Sequence, residues 1–144
     1  MSIREKETEI EEEFALFDDW TDRYEHLIEQ GRSIGIMDSA FKTEEHLIKG
    51  CQSQVWLNAR FEDGRMYYTA DSDAQIPKGV ISLLLRVLSG EKPDDIVQAE
   101  LGFIDRIGLK EHLSPTRANG LVSMIQKIKL FALPYSQVSN GKNN

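Results

Sequence analysis

Cys51 is the sole cysteine in a chain of 144 residues. A single thiol forms no intramolecular disulfide and no cysteine-rich zinc or iron–sulfur site, so Cys51 acts alone or with another molecule. Most lone cysteines are small buried hydrophobes, but the setting of this one differs. Gly50 allows unusual backbone angles and close approach, and Gln52, Ser53 and Gln54 are not core residues. The reactive form is the thiolate, favoured by positive neighbours and disfavoured by burial or acids. Lys49 and His46 are the nearby candidates for the first, Glu44 and Glu45 for the second, so the sign of any pKa shift stays open. A Cys51/His46 pair is conceivable, although such pairs are spatial rather than sequential. His26 and His112 fall on predicted helices or their ends and read as surface or packing residues. Asp71 and Asp73 could hold a cation or act as acid and base, but in a turn before a helix capping is the expected role. The chain has no glycine-rich phosphate loop, metal-spaced histidine cluster or nucleophile elbow.

The elements that must position Cys51 follow from periodicity. Ile10, Phe14 and Phe17 recur at helical spacing, and Asp18-Asp19 offers a break and a cap. Trp20, Tyr24, Leu27 and Ile28 then continue to a stop expected at Gly31. Residues 32–50 show no clean period and predict loop with short helical turns. From Val55 the pattern alternates, with Val55, Leu57, Ala59 and Phe61 on one face. Asp63-Gly64 is a strong hairpin signal, and folding there pairs Glu62 with Arg65, Phe61 with Met66, Ala59 with Tyr68 and Leu57 with Ala70. A helix is expected to begin at Pro77 and run to Gly90, followed by short helices from Pro93 and around Phe103 to Ile107, broken at Gly108. Ser114-Pro115 predicts the start of a last helix that ends at Pro134. Helices on both sides of a hairpin-based antiparallel sheet make one α+β domain over residues 1–135, with a polar, disordered tail expected from Ser136 to Asn144.

Charge narrows the functional classes. The net charge is −7, which argues against nucleic acid because phosphate contacts need clustered Lys and Arg. Residues 1–30 hold 11 acids and 3 bases, a net of −8, so the remaining 13 acids and 14 bases carry +1. A solvated helix surface is the ordinary reading of such a run. The charged start lacks the apolar stretch of a signal peptide, and the longest apolar stretch, Val80 to Leu88, is far short of the ~20 residues that span a bilayer. The expectation is a cytoplasmic protein with a reduced thiol.

Gly50-Cys51-Gln52-Ser53-Gln54-Val55-Trp56 resembles the G-C-x-S-x-V-W signature of the SufE family. The resemblance continues through Asp71-Ser72-Asp73, Lys78-Gly79-Val80-Ile81 and His112-Leu113-Ser114-Pro115-Thr116-Arg117 with Gly120 beyond, in order over residues 5–133. Pro77 departs from the family pattern. The resemblance implies a SufE/IscU-like fold and a sulfur acceptor of iron–sulfur cluster assembly, partnered by a cysteine desulfurase and an iron–sulfur scaffold complex. The pyridoxal phosphate belongs to the desulfurase, and no cofactor or metal is expected on this chain. Cys51 would receive sulfane sulfur as a persulfide and stimulate the desulfurase. Its loop, with Leu47, Ile48 and Gly50, would rest against an apolar cavity and swing out on meeting the partner. Arg117 would contact the partner or support the loop; its charge in a first helical turn is slightly unfavourable to the dipole, which favours a functional role. His46, Lys49, Gly50, Gln52, Ser53, Gln54, Asp71 and Asp73 complete the expected partner-binding or loop-support set. Two alternatives remain at this level: a paralogous acceptor for a different desulfurase, and an acidic interaction module with a structural cysteine. Monomer and dimer are both open.

Overall fold

The computed structural model describes residues 1–137, which fold in the order α1 (Ile3–Phe14), α2 (Trp20–Ser33), two 3₁₀ turns (Ser39–Phe41 and Glu44–His46), β1 (Val55–Glu62) and β2 (Arg65–Ser72). Then come α3 (Gln75–Leu88), α4 (Pro93–Gln98), α5 (Phe103–Arg106), α6 (Leu109–His112), α7 (Pro115–Ala132) and a final 3₁₀ turn, Leu133–Tyr135. The expected α+β class is what is found: helices packed around one two-stranded antiparallel sheet.

The core forms around α3, whose sequence is apolar nearly all round. Val80, Ile81, Leu83, Leu84, Val87 and Leu88 are all buried, as expected for a helix covered on several sides. One side meets α2, another the inner face of the hairpin (Val55, Leu57, Met66, Tyr68, Ala70), and a third meets Leu121, Met124 and Ile128 of α7. Each such aliphatic side chain stabilises the fold by about 1.5–3 kcal/mol relative to exposure. Tyr68 adds direction, since its buried hydroxyl donates to Ile128 O at 2.8 Å.

The hairpin has the register that Asp63-Gly64 dictates, with Glu62 opposite Arg65 and Leu57 opposite Ala70. Both turn residues have positive φ, 51° at Asp63 and 78° at Gly64, as a type I′ turn requires. On this face β2 is buried along its length, whereas β1 opens to solvent toward the turn. Phe61 is 43% exposed and stacks on Tyr135 at 4.3 Å.

Three helix boundaries differ from expectation, each for a local reason. Phe17 lies beyond the end of α1, while the expected break and cap at Asp18-Asp19 is found, with Asp19 accepting from Asp22 N. Gly31 does not stop α2, which continues to Ser33. There a Cβ would lie 2.9 Å from Gly79 N, and a Cβ on Gly79 would overlap Leu27 O, so the two glycines let α2 and α3 touch backbone to backbone. Helix α3 begins at Gln75, two residues before Pro77. Pro77 tolerates this because the first N–H groups of a helix lack intrahelical acceptors anyway. Of the expected tail, Ser136 is buried, with its Oγ 2.8 Å from Asp94 Oδ1, and residues 138–144 lie outside the described residues. No described helix is long and apolar enough to cross a membrane.

Candidate functional site

Cys51 lies in a short loop, residues 49–53, held at both ends. Upstream, Ile48 N donates to Val55 O at 2.8 Å and Leu47 bridges to Trp56. Downstream, Gln54 N donates to Asp73 Oδ1 at 3.0 Å, while Gln54 O accepts from Asp73 N at 3.2 Å and from Ser72 Oγ at 2.7 Å. Asp73 therefore pins the loop and does not cap α3, whose N-cap residue Ala74 has no side-chain bond.

Asp71 is also no helix cap. It is buried, takes Lys42 Nζ at 2.9 Å and Lys78 Nζ at 3.2 Å, and accepts from Ser72 N at 2.8 Å. Burial pushes its carboxyl up, but Lys42, the Ser72 N–H and Lys78 together outweigh burial and hold it below the usual aspartate value. It ties the segment ahead of the cysteine loop, through Lys42, to the hairpin and to α3. No group of His, Cys, Asp and Glu suited to a metal ion occurs among the described residues.

The thiol itself is half-buried. It faces a cavity of about 50 Å³ lined by Gln52 and Ser53 of the loop, Ile76, Pro77 and Val80 of α3, and Thr116, Arg117, Gly120 and Met124 of α7. Its Sγ lies 3.7 Å from Gly120 O, within reach of a weak S–H donor bond. Burial raises the Cys51 pKa above its usual value, and no neighbouring charge offsets it. At neutral pH the resting group is the thiol. A cavity of this size exceeds the ~10–15 Å³ that one water needs, so a single added atom such as sulfur has room beside Sγ.

The expected neighbours divide. Gln52, Ser53 and Arg117 share the cavity with Cys51. Arg117 is exposed, with no hydrogen bond or ion pair from its guanidinium among the described residues. His46 is not paired with Cys51; its Nδ1 lies 2.8 Å from Thr43 Oγ1 and its ring packs edge-on to Phe41. Lys49 opens onto a separate groove with Ser123 and Lys127. Gly50 has φ +92°, and a Cβ there would overlap Ser123 Oγ. Sequence reasoning assigned no part to Ser123, Met124 or Lys42. Gly120-x-x-Ser123, two small residues on one helix face, was the available signal for close backbone approach.

A family model described as "SufE: Fe-S metabolism associated domain" matches residues 8–132. The chain belongs to the SufE family. An uncharacterised SufE-like protein of Rhizobium meliloti (strain 1021) is 40% identical over 126 residues, covering 84% of this chain and 90% of the relative. One from Synechocystis is 36% identical over 126 residues, covering 88% and 79%. SufE-like protein 1, chloroplastic/mitochondrial, of Arabidopsis thaliana is 40% identical over 112 residues; these cover 77% of this chain but 30% of that longer protein. The solution structure of a hypothetical protein from Thermus thermophilus matches with a TM-score of 0.74 at 22% identity, covering 90% of this chain and 95% of that one, a likeness of fold. Membership in SufE ties the chain to iron–sulfur metabolism.

Proposed function

We propose that this SufE-family protein is a sulfur acceptor that takes sulfane sulfur from a cysteine desulfurase onto Cys51, stimulates that enzyme and passes the sulfur to an iron–sulfur scaffold complex. The observation that carries the reading is the placement of the sole thiol: half-buried at a cavity, on a loop anchored at both ends. The chemistry is thiol–disulfide exchange. The Cys51 thiolate attacks the outer sulfur of the donor's persulfide, the donor's S–S bond breaks, the donor cysteine leaves as thiolate, and Cys51 becomes the persulfide. Electrons balance without an outside oxidant or reductant.

Gln52 and Ser53 line the path to the thiol, Gln54 and Asp73 hold the loop's end, and the uncommitted Arg117 offers the partner a cation. Lys49 and Gly50 supply the upstream turn, Asp71 secures the strand behind it, and His46 supports the segment ahead through Thr43. In this reading residues 1–135 form one domain that works in the cytoplasm, as monomer or dimer, with no resident cofactor.

Incubation with a cysteine desulfurase and cysteine, followed by intact-mass measurement, is expected to add about 32 Da to the wild type and nothing to Cys51→Ser, with folding unchanged by circular dichroism. Absence of the increment on wild type overturns the reading. Recovering the bound desulfurase from a pull-down separates this acceptor from a paralogue serving another one.

A further inference from the structure

The hairpin leaves one stretch of its backbone without partners. On the side of β2 away from β1, Met66 N donates to Glu91 O at 3.0 Å and Met66 O accepts from Gly90 N at 2.7 Å. Paired residues of an antiparallel ladder turn their backbone groups alternately toward and away from the partner strand, so Tyr68 and Ala70 also turn theirs outward. Tyr68 N is taken by Ser89 Oγ at 3.0 Å. Tyr68 O, Ala70 N and Ala70 O have no hydrogen-bond partner among the described residues. Buried backbone groups are nearly always paired, and both residues are buried, yet they line an open groove of about 340 Å³ whose other walls include Ser33 and Ile34 at the end of α2 and Leu85 of α3. Sheet edges are ordinarily blunted by Lys, Pro, a bulge or a covering segment. Tyr68-Thr69-Ala70 has none of the first three, and the covering segment, residues 89–91, reaches no further than Tyr68 N.

We propose that the Tyr68–Ala70 edge is a docking site for an extended segment of the sulfur recipient, the iron–sulfur scaffold complex, which adds to the hairpin as a third, antiparallel strand. One recipient residue exchanges both backbone bonds with Ala70, and the N–H two positions along it reaches Tyr68 O. The groove's own chemistry fixes the occupant as a strand. Its charged side chain, Arg86, is already held by Glu9 and Glu13. What it offers is unpaired backbone beside the apolar Ile34 and Leu85, the complement of an uncharged extended segment with apolar side chains at alternate positions.

The inference rests on the acceptor reading above and adds how delivery is organised. The groove shares no residue with the cavity at Cys51: α3 gives Ile76, Pro77 and Val80 to the cavity, and Ser82, Leu85 and Arg86 to the groove. A donor that meets Cys51 and Arg117 leaves the β2 edge open, which assigns the edge to the recipient. The edge also runs directly into Ser72 and Asp73, which hold Gln54 at the end of the cysteine loop. A strand added there lies along the same strand that anchors the sulfur-bearing loop.

The test is amide hydrogen exchange, resolved to single residues by mass spectrometry, on the full chain alone and with a purified iron–sulfur scaffold complex. In the chain alone, Ala70 N–H is expected to exchange about tenfold faster than Thr69 N–H, which faces β1, and to slow about tenfold once the scaffold complex is added. Ser33→Trp fills the groove from its exposed rim. It is expected to abolish that slowing and to cut the rate of sulfur passage from persulfidated Cys51 to the scaffold complex about tenfold, with loading by a desulfurase as in wild type. Arg32→Trp, exposed beside it but outside the groove, is the control and is expected to match wild type. Ala70 exchange that the scaffold complex leaves unchanged overturns the proposal, and so does slowing by the desulfurase in place of the scaffold complex. Slow exchange at Ala70 in the chain alone also overturns it, since the edge is then covered by this chain or by a second copy. The exchange measurement is made on the wild type, so it decides even if Ser33→Trp folds poorly. Failure of the wild type to gain sulfur from a desulfurase overturns the acceptor reading, a separate measurement.

Discussion

Two ends of the molecule treat polar groups in opposite ways. Where α1 crosses α3 and α5, four glutamates of the first 30 residues, Glu7, Glu9, Glu11 and Glu13, are engaged in bonds to the rest of the fold. Arg86 of α3 reaches Glu9 at 2.7 Å, Glu13 at 2.8 Å and Gln30 at 3.0 Å. Glu13 also meets His26 at 3.0 Å. Arg106 pairs with Glu11 and lies 3.5 Å from Glu7, whose buried carboxylate accepts from Phe103 N at 3.0 Å. Where the cysteine loop lies on α7, Arg117 and Lys49 have no ion pair among the described residues, and the thiol makes a single weak contact. These four glutamates of the acidic segment are therefore structural adhesive, which weighs against reading the whole run as an interaction surface. The nearly neutral remainder keeps its uncommitted groups around Cys51, as a surface awaiting a partner would.

The contrast breaks most visibly at Arg86. Arg86→Ala leaves a partly buried Glu13 without its main partner and is expected to lower stability by about 2 kcal/mol, read as a fall in urea midpoint, with Cys51 alkylation unchanged. The same variant has a signature in acid. Chiefly through the Arg86 hydrogen bond, Glu13 is held below its ordinary pKa of 4.5 in the folded protein despite burial. Its contribution is fully present above that unfolded value and is lost as pH falls through the lower folded one. Wild type should lose stability steeply below about pH 4.5, and Arg86→Ala should flatten that limb; an equal slope in both would detach the network from acid unfolding.

At the other end, Gly50→Ala forces a side chain into positive φ and against Ser123. It is expected to cost about 1–2 kcal/mol while accelerating alkylation, the reverse pattern to Arg86→Ala. Smallest in stability is Arg117→Ala, expected within about 0.5 kcal/mol of wild type because the side chain is exposed and unpaired among the described residues. Its effect should appear only with a partner, as slower sulfur loading by intact mass against time. A slowed loading curve with unchanged melting sharpens the division between the two ends.

How much of this was legible in the chain depended on sequence distance. The hairpin register followed from Asp63-Gly64 and alternation, because pairing across a two-residue turn is local. The start of α7 was marked by Ser114-Pro115 for the same reason. The cysteine motif drew attention to Cys51, and Gln52, Ser53 and Arg117 do gather there. Arg86 with Glu9 and Arg106 with Glu11 join residues far apart in the chain, and no spacing rule exposes such pairs. Gly31 carried an ambiguous sign: glycine ends helices and also admits close packing, and only the facing Gly79 decides between them. His46 misled because nearness in sequence fixes neither direction nor partner for a ring that can turn to Thr43. Asp71 and Asp73 sat in a turn where capping is common, but the lysines that claim Asp71 come from outside that turn.

The glycine contact between α2 and α3 bears on the proposed acceptor role. With backbone touching backbone at Gly31 and Gly79, α3 is packed closely on α2, and its first turn, carrying Ile76 and Pro77, lines the cavity. The cavity's remaining side nearest Cys51 is the short loop of residues 49–53. A segment so short relaxes on the nanosecond to microsecond scale typical of loops, far faster than a typical enzyme turnover of about 10 per second. In the proposed acceptor role, a loop this short would not limit the pace, which would be set by meeting the partner and by the exchange of sulfur.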